Sequence, residues 1–136
     1  MLTYGDGLGT IDLKRLVAFH LAHKKILTIS GVRPPSRFGE LRMNAKGLIT
    51  AFNEKPQVSE GRISGGFFVC RKDIFGYLND RPGLVFEREP IQRLVRDKQA
   101  MVFKHDGFWQ PMDTYRDYQY LNGLLEKKKA PWILSK

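Results

Sequence analysis

The apolar and polar positions along this chain change period several times, and each change predicts an element. Met1 to Tyr4 reads as the end of a buried strand running into the turn Gly5-Asp6-Gly7. From Asp12 the apolar residues Leu13, Leu16, Val17, Phe19 and Leu21 form a helical stripe, with Thr10 or Asp12 as the cap. Lys24 and Lys25 fall in its last turn, where cations suit the helix dipole. Ile26-Leu27-Thr28-Ile29 predicts a strand ending at Gly31, and Pro34-Pro35 a loop. Leu41 to Met43 and Leu48 to Phe52, around a turn at Asn44 to Gly47, predict a small hairpin. Ile63 to Cys70 is a further apolar segment, interrupted by Gly65-Gly66. Helices are expected from Asp73 to Leu78 and from Glu89 to Asp97, the latter with Pro90 in its first turn. A short strand at Ala100 to Phe103 and a loop from Gly107 to Met112 lead to a last helix, Asp113 to about Lys128. Strands alternating with helices indicate an α/β domain with a mostly parallel sheet flanked by helices. No β-α unit stands before the first buried strand, so further strands are expected to be lost or supplied from elsewhere.

Composition narrows the picture. The 136 residues suit one domain, and 42% hydrophobic with 27% charged residues is a globular balance. Apolar runs such as Phe67 to Cys70 fall far short of the roughly 20 residues that cross a bilayer. The first residues lack the basic and apolar regions of a signal peptide, and a single cysteine, Cys70, rules out an internal disulfide. A cytoplasmic protein is the expectation. The net charge of +9 is compatible with nucleic-acid binding, with an anionic small-molecule substrate, or with scattered solvated cations. Apart from Lys127-Lys128-Lys129 the basic residues are interrupted by acidic and apolar ones, which favours scattering and no nucleic-acid partner.

Few residues have the type and placement for chemistry. Asp6 follows an apolar strand between two glycines, where ligands of open α/β sheets bind, although a Gly-Asp-Gly turn is the commoner use of such a tripeptide. Asp113 heads the last helix, where it would ordinarily serve as an N-cap. Two carboxylates would nevertheless suit magnesium, which takes one or two of them and completes its shell with phosphates and water. In Glu54-Lys55-Pro56 the lysine offers a compact charge for a phosphate and the glutamate an acceptor for sugar hydroxyls; a solvated ion pair is the rival reading. Gly65-Gly66 suits either a bulge or a close ligand approach. His20, His23 and His105 have no metal-ligand spacing. The aromatic last helix reads as a packing or subunit-contact element.

Taken in order, Tyr4-Gly5-Asp6-Gly7, Pro34 to Gly39, Glu54-Lys55-Pro56, Gly65-Gly66-Phe67-Phe68-Val69, Glu87 to Pro90, Gly107 to Thr114 and Ala130-Pro131-Trp132 resemble the glucose-1-phosphate cytidylyltransferases of the sugar nucleotidyltransferase superfamily. The resemblance covers essentially the whole chain, as the C-terminal half of such an enzyme. It implies a Rossmann-like, GT-A-like fold whose N-terminal strands are missing. Within it, residues 1–110 would carry the sheet and the sugar-phosphate portion, and residues 111–136 the last helix and tail. The implied reaction joins CTP and glucose 1-phosphate into CDP-glucose and pyrophosphate. By the same resemblance Asp6 and Asp113 would hold Mg2+, and Glu54 and Lys55 would engage the sugar and its phosphate. Gly65 and Gly66 would approach the sugar. Ser64 stands where the family usually has Asn, which alters the sugar contacts. The resemblance also implies a homo-oligomer for the full-length enzyme and no membrane association. The family's glycine-rich triphosphate loop, with its following lysine, does not occur in these residues. An inactive isolated chain is therefore expected. A non-catalytic sugar-phosphate-binding or assembly module, or an enzyme for another nucleotide or sugar, are the alternatives.

Overall fold

In chain order the elements are β1 (Leu2–Thr3), β2 (Gly7–Gly9), α1 (Leu13–His23), β3 (Leu27–Val32), β4 (Glu40–Met43) and β5 (Ile49–Asn53). There follow β6 (Ile63–Cys70), a 3₁₀ helix (Lys72–Tyr77), α2 (Glu89–Arg96), β7 (Ala100–His105), β8 (Trp109–Pro111) and α3 (Tyr115–Glu126). The computed structural model describes residues 1–34, 40–53 and 61–133.

Side-chain alternation on two strands sets up the layers. A strand sends successive side chains to opposite faces. On one face Val32 and Val69 join Ile11, Leu16 and Trp109, with Phe67 and Phe103 packed against them. On the other, Leu27 and Phe68 join Ile74 and Leu94, with Tyr4, Ile29 and Phe86 alongside. The sheet is thus sandwiched between α1 and the pair formed by the 3₁₀ helix and α2. Leu16, Leu27, Phe68 and Leu94 are fully buried, each contributing about 1.5–3 kcal/mol relative to exposure.

The fold class is α/β, as the alternation of elements predicts, but the sheet is mixed. Its order is β1-β6-β3-β7. β3 runs parallel to β7, whereas β6 runs antiparallel to both β1 and β3. The reason is the connection. Among the described residues the connection from β3 to β6 carries the β4-β5 hairpin, and β6 returns to the neighbouring position in the opposite direction.

Other expectations hold with changed detail. Asp12 caps α1, its carboxylate accepting from Arg15 N–H at 2.9 Å. The apolar stripe of α1 is only partly covered: Leu16 is buried, while Leu13 and Leu21 are exposed. β1, expected to be buried, is an exposed edge strand, because β6 pairs with one side of it and no described strand pairs with the other. The expected Asp73–Leu78 helix is the 3₁₀ turn Lys72–Tyr77. The hairpin forms where expected, with Asn44 Oδ1 accepting from Lys46 N–H and Leu48 N–H.

Candidate active site

Two short strands with little apolar character build the centre. β2, Gly7-Leu8-Gly9, pairs antiparallel with β8, Trp109-Gln110-Pro111, in the register Gly7 to Pro111. β8 lies inside the segment expected to be a loop. One step beyond the ladder, Met112 N–H donates to the Asp6 carbonyl at 2.7 Å. This bond places Asp6 beside the residue that precedes Asp113, so two carboxylates 107 positions apart (113 minus 6) in the sequence share one end of a two-stranded ribbon. Gly7 is closely packed there: a Cβ would stand 3.3 Å from Trp109 Nε1.

Asp113 is not the helix cap. Thr114 is, in a reciprocal capping box: its hydroxyl oxygen accepts from Asp117 N–H at 3.2 Å, and Asp117 Oδ2 accepts from Thr114 N–H at 3.0 Å. The role that would have absorbed Asp113 is filled by its neighbours. Asp6 and Asp113 are both exposed, and neither carboxylate has a hydrogen-bond partner or ion pair among the described residues. No group of three or more His, Cys, Asp or Glu side chains with metal-holding geometry occurs among the described residues. Two free carboxylates on one ribbon end suit magnesium, whose remaining ligands are phosphate oxygens and water.

The glycine pair of β6 adjoins this ribbon. The Trp109 indole N–H donates to the Gly65 carbonyl at 3.0 Å, and Tyr4 N–H donates to the Gly66 carbonyl at 2.9 Å. The β3-β6 register moves from Ile29 opposite Phe68 to Gly31 opposite Ser64, so β6 bulges at the pair. Gly66 has φ +76°, in the left-handed region. Ser64 is exposed, and its hydroxyl accepts from Gly66 N–H at 3.3 Å, so it is used within its own strand. Asp6, Asp113, Ser64, Gly65 and Gly66 are therefore gathered around β2, β8 and the middle of β6. Glu54 and Lys55 lie outside the described residues, as do Pro35 to Gly39.

Further residues, to which the sequence assigns no site role, shape the site. Trp109 links the glycine bulge to β8, and Gln110 Nε2 donates to Asp117 Oδ1 at 2.9 Å, tying β8 to α3. Arg62 donates from Nη1 to the carbonyls of Gly31 and His105 and from Nη2 to Asp106, closing the carboxyl ends of β3 and β7 just ahead of Ser64. Arg62, followed by Arg33, holds the Asp106 carboxyl below the usual carboxylate range. The burial of Trp109 and the long-range bonds of Arg62 depend on tertiary partners, so no local spacing signals them. His20 and His23 serve packing: both hydrogen-bond the Thr28 hydroxyl, at 2.8 and 2.7 Å.

Comparison with known proteins places this arrangement. The family described as Nucleotidyl transferase matches residues 2–128. The chain is 45% identical over 132 residues to the glucose-1-phosphate cytidylyltransferase of Salmonella typhimurium, covering 97% of this chain and 51% of that protein. It is 32% identical over 130 residues to the mannose-1-phosphate guanyltransferase of Schizosaccharomyces pombe, covering 88% of this chain and 35% of that one. The chain thus spans about half the length, or less, of these curated relatives. A Bacillus anthracis protein named for glucose-1-phosphate thymidylyltransferase activity, solved with sucrose, superposes with a TM-score of 0.64 at 18% identity. The match covers 97% of this chain and 55% of that one. It speaks to the fold alone.

Proposed function

Because this chain belongs to the nucleotidyl transferase family, whose pattern spans residues 2–128, we propose that it supplies the metal-carboxylate and sugar-phosphate side of a site making CDP-glucose and pyrophosphate from CTP and glucose 1-phosphate. The β2-β8 pairing carries the reading, since it sets Asp6 against Met112, the residue before Asp113, while Thr114 and Asp117 form the cap of α3 in place of Asp113. The choice of CTP and glucose 1-phosphate is supported by 45% identity with the Salmonella typhimurium cytidylyltransferase.

In this reaction a phosphate oxygen of glucose 1-phosphate bonds to the α-phosphorus of CTP as the bond to the β-phosphate bridge breaks and pyrophosphate leaves. Asp6 and Asp113 would hold magnesium, which when bound neutralises phosphate charge. The chain's own work is positioning. Gly65 and Gly66, buried at the bulge with the Gly65 carbonyl fixed by Trp109, are proposed to shape the floor on which the sugar rests. Glu54 and Lys55 are proposed to take the sugar hydroxyls and the phosphate. A glycine-rich triphosphate loop does not occur in these 136 residues, so the chain alone is expected to turn over no CTP.

The test joins this chain to the half of the Salmonella typhimurium protein that it does not match. The folded chimera should form CDP-glucose from CTP and glucose 1-phosphate in the presence of magnesium. Asp6→Asn and Asp113→Asn should each lower kcat at least about 100-fold, the scale of losing charge stabilisation in a transition state. Both residues are exposed, so the melting temperature should stay near that of the parent. Turnover unaffected by either change would remove the carboxylates from the mechanism. A folded chimera with no turnover would leave a sugar-phosphate-binding module. Preference for mannose 1-phosphate would overturn the sugar assignment, which this chain's half controls in the proposal.

A further inference from the structure

Only Asp106, Gly107 and Phe108 connect β7 of the main sheet to β8 of the aspartate ribbon. The far end of this connection is tied just beyond β2, because the Phe108 carbonyl accepts from Thr10 N–H at 2.9 Å. His105 Nε2 lies 3.2 Å from the same carbonyl. Gly107 has no room for a side chain: a Cβ would stand 2.7 Å from both His105 Cε1 and Thr10 Oγ1. The near end is held from the β6 side. Arg62, the residue before that strand, donates from Nη1 to the Gly31 carbonyl at 3.0 Å and to the His105 carbonyl at 2.9 Å. Its Nη2 donates to Asp106 Oδ1 at 2.6 Å, and Arg33 Nε donates to the same oxygen at 3.0 Å. Gly31 makes space for the Arg62 stem, since a Cβ there would stand 3.3 Å from Arg62 Cδ. These groups gather at the carboxyl ends of β3 and β7, the same end of the sheet at which β1 leads into Asp6. Ligands of open α/β sheets bind at that end.

We propose that Arg62 is a positioning residue: it locks the Asp106–Phe108 connection to β6, so that the strand bearing the glycine pair and the ribbon bearing Asp6 and Asp113 keep one mutual geometry. The Trp109 indole, bonded to the Gly65 carbonyl, joins the same two elements from within. One tie alone would leave a pivot, whereas two fix an orientation. The guanidinium is the group that suits this task. Its planar fork reaches two carbonyls and a carboxylate together, which the single ammonium of a lysine does not. Asp106 is 63% exposed, and an ion pair so placed contributes little to stability. Breaking it is therefore felt in the placement of the ribbon and not in the stability of the sheet. Phosphoryl-group transfer is sensitive to such placement, a displacement of about 1 Å costing up to ~100-fold in rate.

Two variants test this. Asp106→Ala removes the exposed end of the clamp, and Arg62→Lys keeps the charge but loses the fork. In this chain, hydrogen exchange reads the ribbon directly. The amides of Thr10 and Met112, bonded to the Phe108 and Asp6 carbonyls, should exchange at least about fivefold faster in both variants. Those of Leu27 and Arg71, bonded at the opposite end of the sheet, should keep their parental rates. Unchanged ribbon amides would overturn the proposal, and so would a uniform acceleration of all four, which is plain destabilisation. Asp106 is exposed, so its variant carries the test if Arg62→Lys fails to fold. A second readout rests on the reaction proposed above. In the two-half chimera both variants should lower kcat at least about tenfold while KM for glucose 1-phosphate stays within about twofold. The double variant should be no slower than the slower single one, because both changes break one clamp. A loss confined to KM, or losses that add, would overturn the positioning role. A parent chimera without turnover would sink the reaction instead, and the four amides would then decide the clamp alone.

Discussion

A Cβ on Gly65 would lie 2.6 Å from Val32 Cγ1 and 2.8 Å from Ser30 Oγ, closer than packed atoms tolerate. Gly65→Ala should therefore cost about 1–3 kcal/mol, the usual penalty of overpacking, measured as a lower urea midpoint. At Gly66 the obstacle is conformational as well: φ is +76°, and a side chain would also press on Tyr4. Gly66→Ala should be destabilising by about 1–2 kcal/mol, the left-handed penalty. The two histidines of α1 predict a pH dependence. Lys25 N–H donates to His23 Nδ1, which leaves the proton on His23 Nε2 to meet the Thr28 hydroxyl; that hydroxyl in turn can donate to His20 Nδ1. Such a chain uses neutral imidazoles. Burial, followed by His23 and Arg71, lowers the His20 pKa, and burial, with Lys25 adding to it, lowers that of His23. The unfolded chain thus binds more protons, so this contribution is complete above the ordinary histidine pKa of 6.5 and is lost as pH falls below it. Urea midpoints should decline as the pH falls below 6.5, and His20→Gln should flatten that slope.

At the scale of elements, the capping of α3 decides how Asp113 is presented. Thr114→Ala removes the hydroxyl that accepts from Asp117 N–H and donates to Asp117 Oδ2, and should cost about 1 kcal/mol in thermal or urea unfolding. Asp113→Ala, which removes no cap, should leave the unfolding midpoint almost unchanged. Position alone does not separate adjacent cap-forming residues, so the sequence points to Asp113 as the ordinary cap where Thr114 serves. Long apolar or periodic segments were legible: β6 spans Ile63–Cys70 as expected, and α1 begins directly after Asp12. β8 was not legible, since a Trp-Gln-Pro strand paired with Gly-Leu-Gly has neither alternation nor β-branched residues, and it forms because Trp109 is buried. The exposure of β1 and the mixed sheet were equally hidden, because both depend on which strands lie alongside. Of the site, Asp6, Asp113 and the glycine pair stood out by residue type and position. The bond joining the pair to Trp109 did not, since it spans 44 positions.

For the molecule as a whole, the accessible surface sets how it unfolds. Using about 1.45 Å2 per dalton for the unfolded chain, folding buries roughly four-fifths of what a compact chain of this mass would bury. The urea m-value should accordingly fall about a fifth below that of compact domains of equal length. Urea unfolding curves fitted beside those of a compact domain of equal length would check this. The stacked layers otherwise hold together through a few long-range ties, among them the Arg62 fork and the Trp109 indole. The latter has an optical consequence. The protein has two tryptophans; Trp132 stacks on Phe108, whereas Trp109 is buried and bonded to the carbonyl of the glycine bulge. In a Trp132→Phe background the remaining indole is a built-in fluorophore at the seam between the bulge and the aspartate ribbon. On the function proposed above, adding glucose 1-phosphate to the two-half protein should shift its emission, giving a titratable signal that needs neither nucleotide nor turnover.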